Sequence, residues 1–239
     1  WEDLVNWCSD MNLDYKICNI LTKKEVYAIR KILGKSKNWK DGLGTTKNIS
    51  KKTKNNEENY SKEVQKIIIE GCKNSSDFCE FTISESITIP IISQMKKGGY
   101  YKPHIDAPKL GHYSTTLFLS EPSEYEGGEL LLYIGGSTKK VKLSAGKAII
   151  YKSGTPHCVS EVLSGTRLVS VAWVKSLIKD QYERELACMI RDMGKKLTDK
   201  YDDFNESSFE FENLKEAMSH PYFAYRNILH YIESKYPHF

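Results

Sequence analysis

Residues 100–106 (YYKPHID) carry the side chains best suited to chemistry in this sequence. If this stretch is extended, His104 and Asp106 project from the same face, because successive side chains of a strand alternate. An imidazole and a carboxylate placed in this way can hold a divalent metal ion. A third ligand would complete the set of two histidines and one carboxylate, which suits non-haem Fe(II) and leaves positions open for substrate and dioxygen.

His157 is the candidate for the third ligand. It follows the apolar run 148–151, and an antiparallel jelly roll can bring two such distant strands side by side. The HxD pair alone is a weak signal, because most such pairs are a surface histidine beside a carboxylate. The other histidines have no comparable surroundings and are expected to be exposed or to pack structurally: His112, His220, His230 and His238.

Arg167 opens the apolar stretch 168–174 and is the second unusual feature. A guanidinium in a buried strand is destabilising unless an anion meets it, and its planar donors match a carboxylate in a way that lysine cannot. A dicarboxylate such as 2-oxoglutarate fits, with its keto-acid end on the metal and its distal carboxylate on Arg167. The alternative is that Arg167 pairs with a buried Glu or Asp of the protein.

Three regions must position these residues. Residues 1–80 read as a helical segment that packs on the core: Thr22 and Glu25 form a capping box before one helix, and Ser61 begins another. The polar stretch Lys35–Asn59 between them is expected to be a long loop, of the kind that is usually functional or disordered. Residues 177–239 return to helical periodicity, with a last helix near Tyr222–Ser234.

Residues 81–176 instead show short β-rich runs separated by glycines. The first predicted strand begins with Phe81 and Ile83, whose spacing alternates with polar residues. This pattern predicts an antiparallel sandwich or barrel. The expected fold is therefore mainly β with flanking helices.

Composition sets further bounds. Among 239 residues, no apolar run approaches the roughly 20 residues of a membrane helix. The net charge of +4 is too small to imply a nucleic-acid partner by itself. The six cysteines are scattered without a CxxC pair, which favours reduced thiols and a cytoplasmic protein. The sequence opens at Trp1 rather than Met, so the question of a lost targeting segment stays open.

Several motifs follow one another in order around these residues. They are 98–106 (GGYYKPHID), 114–120 (STTLFLS), 125–130 (YEGGEL), 142–146 (KLSAG), 156–157 (PH) and 167–173 (RLVSVAW), with 39–42 (WKDG) and 54–56 (KNN) upstream. Together they resemble the Fe(II)/2-oxoglutarate-dependent oxygenases. Within that superfamily, the sequence is most similar to the prolyl-4-hydroxylase-like branch and its PKHD-type hydroxylases, from about residue 14 to about residue 190.

The resemblance implies a distorted double-stranded β-helix, or jelly roll, over residues 81–176. It implies Fe(II) as the metal, 2-oxoglutarate and O2 as co-substrates, and ascorbate as a reductant. It also assigns residues: His104, Asp106 and His157 as iron ligands, and Arg167 as the anchor of the distal carboxylate. Tyr101 and Trp173 are expected to line the same pocket, with packing in the core as the equal alternative for these two aromatic residues. Two positions depart from the family, because Met95 and Leu117 stand where relatives carry a tyrosine that helps to hold the co-substrate. Thr116 is the substitute donor.

The implied activity is hydroxylation of a C–H bond, with peptidyl proline as the first candidate substrate. A free amino acid or another small molecule is the alternative, and so is a metal-binding jelly roll without catalysis. A nucleic-acid dealkylase is disfavoured, because Trp173 stands where such enzymes carry a second arginine. The Lys35–Asn59 segment, with Trp39 and Asn55-Asn56, is expected to fold over the iron as a lid.

Overall fold

The structure, a computed structural model, describes residues 12–45, 53–200, 226–227, 230–231 and 234–236. It divides into two compact units: Asp14–Ser176, and a second unit that includes the chain from Leu177 onwards. The first unit contains both sheets described below. The division of the chain at residue 80 into two domains stays a prediction.

The larger sheet of the first unit has nine strands. They are β1 (Tyr15–Asn19), β2 (Lys40–Asp41), β4 (Glu57–Asn59), β5 (Ser84–Ile87), β6 (Ile91–Lys96), β8 (Tyr113–Phe118), β9 (Tyr125–Gly127), β12 (Lys147–Lys152) and β14 (Val162–Ser176). The order along the sheet is β1-β12-β8-β14-β6-β4-β2, and β5 and β9 also pair with β14. The long strand β14 therefore links most of this sheet.

The smaller sheet has five strands in the order β11-β10-β13-β7-β3. They are β3 (Lys54–Asn55), β7 (Tyr100–His104), β10 (Leu130–Ile134), β11 (Ser137–Val141) and β13 (His157–Val159). An apolar cluster with members from both sheets lies between them and includes Phe118, Leu132, Ile149 and Val169. Two facing antiparallel sheets with a shared core agree with the predicted β architecture.

Three helices cover the other face of the larger sheet: α1 (Lys23–Lys35), α2 (Lys62–Asn74) and α3 (Ser76–Thr82). The predicted capping box is confirmed, since Glu25 N donates to Thr22 Oγ1 and Thr22 N donates to Glu25 Oε2. Ser61 caps α2 as predicted. The buried faces of the helices pack against a second apolar cluster that includes strand residues such as Leu117 and Ile150.

Some local predictions for the N-terminal region were wrong. The region read as helical contributes β1, which pairs along its full length with β12, and the described part of Lys35–Asn59 contains β2, β3 and β4. Phe81 lies in α3, and Ile83 is its left-handed C-cap with φ of 46°. Short polar strands such as β4 carry little local signal, because their conformation is fixed by pairing with a distant strand, here β6.

The second unit contains α4 (Gln181–Lys200), which agrees with the helical periodicity of residues 177–239. Arg184 is buried and donates to the backbone carbonyls of Ile178 and Lys179 at the start of this unit. The predicted last helix near Tyr222–Ser234 lies largely outside the described residues. Among the helices that the structure describes, none is both long and apolar enough to cross a membrane.

Candidate active site

Strand pairing brings the two predicted histidine ligands together. His157 on β13 lies directly opposite His104 on β7 in the antiparallel register. Their ring centroids are 4.2 Å apart, with the ring planes inclined by 55°. One cross-strand pair thus places side by side two residues that are distant in the sequence.

Backbone carbonyls fix the orientation of both imidazoles. His104 Nδ1 donates to Lys102 O at 2.8 Å, and His157 Nδ1 donates to Thr155 O at 2.9 Å. This leaves Nε2 of each ring as the available lone pair, the arrangement usual for a metal-binding histidine. Burial, followed by the proximity of a second imidazole, lowers the pKa of His104 to about 4, so the ring is neutral at neutral pH. Neutral imidazole is the form that binds metal.

Asp106 lies just beyond β7 and faces both rings. Its Oδ1 is 3.9 Å from His104 Nε2, and its Oδ2 is 3.7 Å from His157 Nε2. One potential ligand atom from each residue lies within 4.8 Å of the other two. Two imidazoles and one carboxylate at this spacing fit a six-coordinate ferrous ion that keeps positions open for other ligands.

Two side chains hold the carboxylate of Asp106. Ser114 Oγ on β8 and Trp173 Nε1 on β14 both donate to Oδ2, at 2.6 Å and 2.9 Å. Ser114 and Trp173 are themselves opposite each other in the β8–β14 pairing. The indole of Trp173, expected to line the pocket, therefore also orients a candidate ligand.

Arg167 lies in the same cavity as the three residues above, which encloses about 490 Å³. Its side chain is 2% exposed, and Nε donates to Gly128 O at 2.8 Å. Gly128 has φ of 65°, and a Cβ there would lie 3.1 Å from Arg167 Cδ, so a larger residue would crowd the arginine. Burial lowers the pKa of Arg167 to about 10, which still leaves a cation at neutral pH.

The alternative partner for Arg167, a buried carboxylate of the protein, is not found among the described residues. The titratable groups that act on it are the phenols of Tyr125 and Tyr151, whose raised pKa values keep them neutral at neutral pH, and the ring of Phe118 lies 5.7 Å from its Cζ. A buried cation that lacks a carboxylate partner within the described chain calls for an anion from outside. The cavity is where such an anion would enter.

The two positions that depart from the family pattern have different surroundings. Met95 is paired with Arg167 across β6 and β14 and lines the cavity. Leu117 instead packs with the helices on the opposite face of the sheet. Because side chains alternate along β8, the neighbouring Phe118 and Thr116 face the inner side, and Leu117 faces away from the cavity.

Tyr101 and Thr116 also line the cavity. The ring of Tyr101 stacks on His104 with centroids 3.7 Å apart, and burial raises the pKa of Tyr101 to about 12. Thr116 is buried and is hydrogen-bonded to Tyr151. All seven residues predicted for the site thus lie around one cavity: His104, Asp106, His157, Arg167, Tyr101, Thr116 and Trp173.

The segment Lys35–Asn59, expected to form a lid over the iron, makes different contacts from those predicted. Trp39 packs with the cluster on the helical side, and Asn55 Nδ2 donates to Gly98 O. The cavity is lined instead by Lys54 and Glu58, whose charged atoms form a buried ion pair of 2.6 Å. The middle of the segment lies outside the described residues.

Ser114, Ser153 and Tyr151 were missed in the sequence. Ser114 and Ser153 are hydrogen-bonded at 3.1 Å behind Asp106, and the ring of Tyr151 lies edge-on to His157 with centroids 5.1 Å apart. One signal could have indicated Ser114: a strand buried on both sides, such as β8, has no packing reason to carry hydroxyls.

Comparison with known proteins agrees with this geometry. Residues 90–175 match the family model of the 2OG-Fe(II) oxygenase superfamily. A PKHD-type hydroxylase of Prochlorococcus marinus is 34% identical over 189 residues, covering 75% of this chain and 86% of that protein. A PKHD-type hydroxylase of Gluconacetobacter diazotrophicus is 32% identical over 202 residues, covering 77% of this chain and 88% of that protein.

Solved structures share the fold at lower identity. A prolyl hydroxylase from Trichoplax adhaerens, in complex with a hypoxia inducible factor peptide fragment, gives a TM-score of 0.57 at 19% identity, covering 76% of this chain and 90% of that chain. A viral collagen prolyl hydroxylase from Paramecium Bursaria Chlorella virus-1, in complex with 2OG, gives 0.50 at 18% identity, covering 71% and 98%. The predicted jelly-roll fold is confirmed.

Proposed function

Because the chain belongs to the PKHD-type hydroxylases of the 2OG-Fe(II) oxygenase superfamily, we propose that it hydroxylates a peptidyl proline. It is an Fe(II)- and 2-oxoglutarate-dependent dioxygenase, and its reaction uses Fe(II), 2-oxoglutarate and O2. The substrate and the roles of individual residues are the proposal. His104, Asp106 and His157 hold the iron, and Arg167 binds the distal carboxylate of 2-oxoglutarate.

The observation that carries these roles is the placement of an unneutralised buried guanidinium in the same cavity as the histidine–carboxylate cluster. The cluster alone would serve many metal sites. A metal site with a buried arginine beyond it suits a ligand with two acidic ends. 2-Oxoglutarate has this character, with a chelating keto-acid at one end and a carboxylate at the other.

With iron, 2-oxoglutarate and dioxygen bound, the site supplies the oxidising power for C–H hydroxylation, and succinate and carbon dioxide are the by-products. The protein's own residues bind and orient. Lys102 and Thr155 carbonyls fix the histidine rings, and Ser114 and Trp173 fix the carboxylate. Apolar side chains on the cavity wall, among them Met95 and Val169, keep water away from the ligand between metal and arginine.

A peptide substrate is supported by the size and rim of the cavity. A cavity of about 490 Å³ is in the ordinary range for a small ligand, which leaves room for 2-oxoglutarate and one substrate side chain but not for a folded domain. Ile105 at the cavity is 57% exposed and offers an apolar surface to a chain lying across the opening. The names of the similar structures, which are prolyl hydroxylases, add to this support.

The test is turnover with matched substrates. The protein is loaded with Fe(II) under anaerobic conditions, given 2-oxoglutarate and O2, and offered proline-containing peptides, the same peptides with alanine at the proline, and free proline. Succinate release and a mass gain of one oxygen atom on the proline peptide are expected. Asp106→Ala is expected to abolish both products.

Other outcomes separate the alternatives. Product on free proline, with none on any peptide, would identify a small-molecule hydroxylase. Retained iron and 2-oxoglutarate binding, with no succinate release under any condition, would identify a binding module without catalysis.

A further inference from the structure

Lys109 is a charged residue at the opening of the cavity that the reaction outlined above does not use. It lines the cavity and is exposed to solvent. Within the part of the chain that the structure describes, its ammonium has neither a hydrogen bond nor an ion pair. An exposed lysine is ordinary on a protein surface. This one shares a cavity with the candidate iron ligands, so its charge acts on whatever enters.

A tight turn presents Lys109 at the opening. Residues 107–110 (APKL) form the turn, which is closed by a hydrogen bond of 2.9 Å from the backbone N of the last residue to the carbonyl of the first. Pro108 occupies the second position, where its fixed φ favours a turn. The turn follows Asp106 directly, and beyond it His112 N donates to a carbonyl of β14 at 2.8 Å. The backbone that carries Lys109 is therefore attached to the larger sheet on both sides.

The other charged side chains of the cavity have partners once the site is loaded. Apart from the histidine ligands, the described lining residues of this kind are Lys54, Glu58, Asp106 and Arg167. The first two form an ion pair with each other. In the proposed site, Asp106 binds the iron, and Arg167 binds the distal carboxylate of 2-oxoglutarate. The charge that remains for the substrate is that of Lys109.

A cation at the opening favours a substrate that brings a carboxylate. It attracts the carboxylate and repels a second cation, and both effects are moderate because water reaches the ammonium. Charges at the rim of a binding site mainly set the rate of encounter and the choice between partners. The rim also offers the exposed apolar side chain of Ile105. A single acidic group in an otherwise uncharged segment matches this pair of residues.

We propose that Lys109 is a specificity-determining residue, which selects prolines that have a carboxylate close by in the substrate. The carboxylate belongs to an acidic side chain near the proline, or to the chain terminus where proline is the last residue. This inference rests on the proposed function, because it takes peptidyl proline as the group that enters the cavity. Substrates with a basic residue in the same place are expected to be poor.

The test compares kcat/KM for matched proline peptides with blocked termini. Each peptide has one Glu, Gln or Lys at one of the three positions on either side of the proline, in an otherwise uncharged sequence. A second set ends in proline, with a free or an amidated terminus. For the wild type, a Glu peptide or the free terminus is expected to exceed its neutral counterpart by about 5-fold, with the Lys peptide poorer still.

Two variants of Lys109 connect this preference to one side chain. Lys109→Gln is expected to abolish the preference for the carboxylate, and Lys109→Glu is expected to reverse it in favour of the Lys peptide. Iron binding and the Kd of 2-oxoglutarate should be unchanged in both. The preference of the wild type should also shrink as salt is added, because mobile ions screen exposed charges.

Lys97→Glu is the matched control. Lys97 is exposed and is not among the residues that line the cavity, so this variant has the same change in net charge without a change at the opening. Its preference among the peptides is expected to equal that of the wild type.

Two results would overturn this inference and leave the proposed function intact. One is equal kcat/KM for Glu, Gln and Lys at every position together with equal values for the two termini. The other is a preference for the carboxylate that persists in Lys109→Glu. Absence of turnover by the wild type on every proline peptide would instead overturn the proposed function, and this inference with it.

Discussion

Ser114 Oγ donates to Asp106 Oδ2 at 2.6 Å, and the second donor to that oxygen is the indole of Trp173. Both donors thus occupy the same carboxylate oxygen. The other oxygen, Oδ1, remains for a metal ion, so the carboxylate is set up to bind through one oxygen. Partners of this kind orient metal ligands, and their loss typically lowers metal affinity 10–100-fold.

Replacement of Ser114 by alanine is expected to weaken metal binding without unfolding the protein. The expected rise in the Kd of Fe(II), measured anaerobically by calorimetry, is about 10-fold, because Trp173 still holds Oδ2. The far-UV circular dichroism should be unchanged. A Kd within twofold of wild type would contradict the orienting role.

Ser170→Ala is the matched control for that variant. Ser170 is also a buried serine of the larger sheet, but among the described residues its hydroxyl has no hydrogen-bond partner. Loss of this hydroxyl removes no interaction from the metal site. Its Kd for Fe(II) is expected to equal that of the wild type.

His157→Ala is expected to abolish stoichiometric Fe(II) binding. Only His104 and Asp106 would remain, and two ligands do not hold a ferrous ion against water. Anaerobic titration followed by desalting and iron analysis gives the measurement. Exposed His230 provides a control, since His230→Ala should retain one iron per chain.

Arg167→Ala is expected to leave iron binding intact and to raise the Kd of 2-oxoglutarate on the order of 100-fold. The physical reason is the loss of a buried, charge-assisted contact worth about 2–5 kcal/mol. Arg167→Lys tests the geometry, because lysine keeps the charge but cannot donate from a planar fork. If Arg167→Lys binds 2-oxoglutarate as tightly as wild type, bidentate recognition is the wrong explanation.

Much of the site was predictable because its residues belong to types with few other uses in a buried strand. Two histidines, an aspartate and an arginine in β-rich runs are unusual, and the antiparallel pairing of His104 with His157 completes their convergence. Residues of ordinary type were not predictable. A serine such as Ser114 or a tyrosine such as Tyr151 has many roles in proteins, and only three-dimensional contacts select one.

The fold was predictable to a similar extent. Helix α1 was found because its capping box is a local signal within a few residues. Strands β2 and β4 were missed because each depends on a distant partner and is made of polar residues. Leu117 stands where the family resemblance places a co-substrate tyrosine, and its side chain packs with the helices, because the sequence alone does not fix which face of β8 is the inner one.

The metal-free protein is expected to lose stability as the pH falls from 6.5 towards 4. His104 has a pKa of about 4 in the folded protein against 6.5 as its ordinary value, so in that range the unfolded chain binds more protons. Its contribution to the free energy of unfolding is complete above pH 6.5 and is lost as the pH falls through the folded pKa. The expected loss is on the order of 2 kcal/mol.

Urea unfolding of the metal-free protein at several pH values gives the measurement for His104. His104→Gln removes the titrating group and keeps a polar side chain of similar size. The stability of this variant should fall less between pH 6.5 and 4.5 than that of the wild type. Identical slopes for the two proteins would show that protonation of His104 is not responsible.

The ion pair of Lys54 and Glu58 lines the cavity, and we expect it to contribute to the free energy of unfolding rather than to the reaction. Its side chains are 9% and 3% exposed, and Glu58 also accepts hydrogen bonds from Asn56 and Tyr60. Removing one partner leaves a buried charge uncompensated, so Lys54→Met is expected to lower the free energy of unfolding by about 3 kcal/mol. Urea unfolding at neutral pH measures it.

The exposed pair of Lys66 and Glu70 on α2 is the matched comparison. These side chains are 77% and 59% exposed and 3.9 Å apart, so water already solvates both charges. Lys66→Met is therefore expected to change the free energy of unfolding by less than about 0.5 kcal/mol. Because the two substitutions are chemically identical, the difference between them isolates burial. Equal effects at both sites would mean that burial of the Lys54–Glu58 pair has no energetic consequence for the fold.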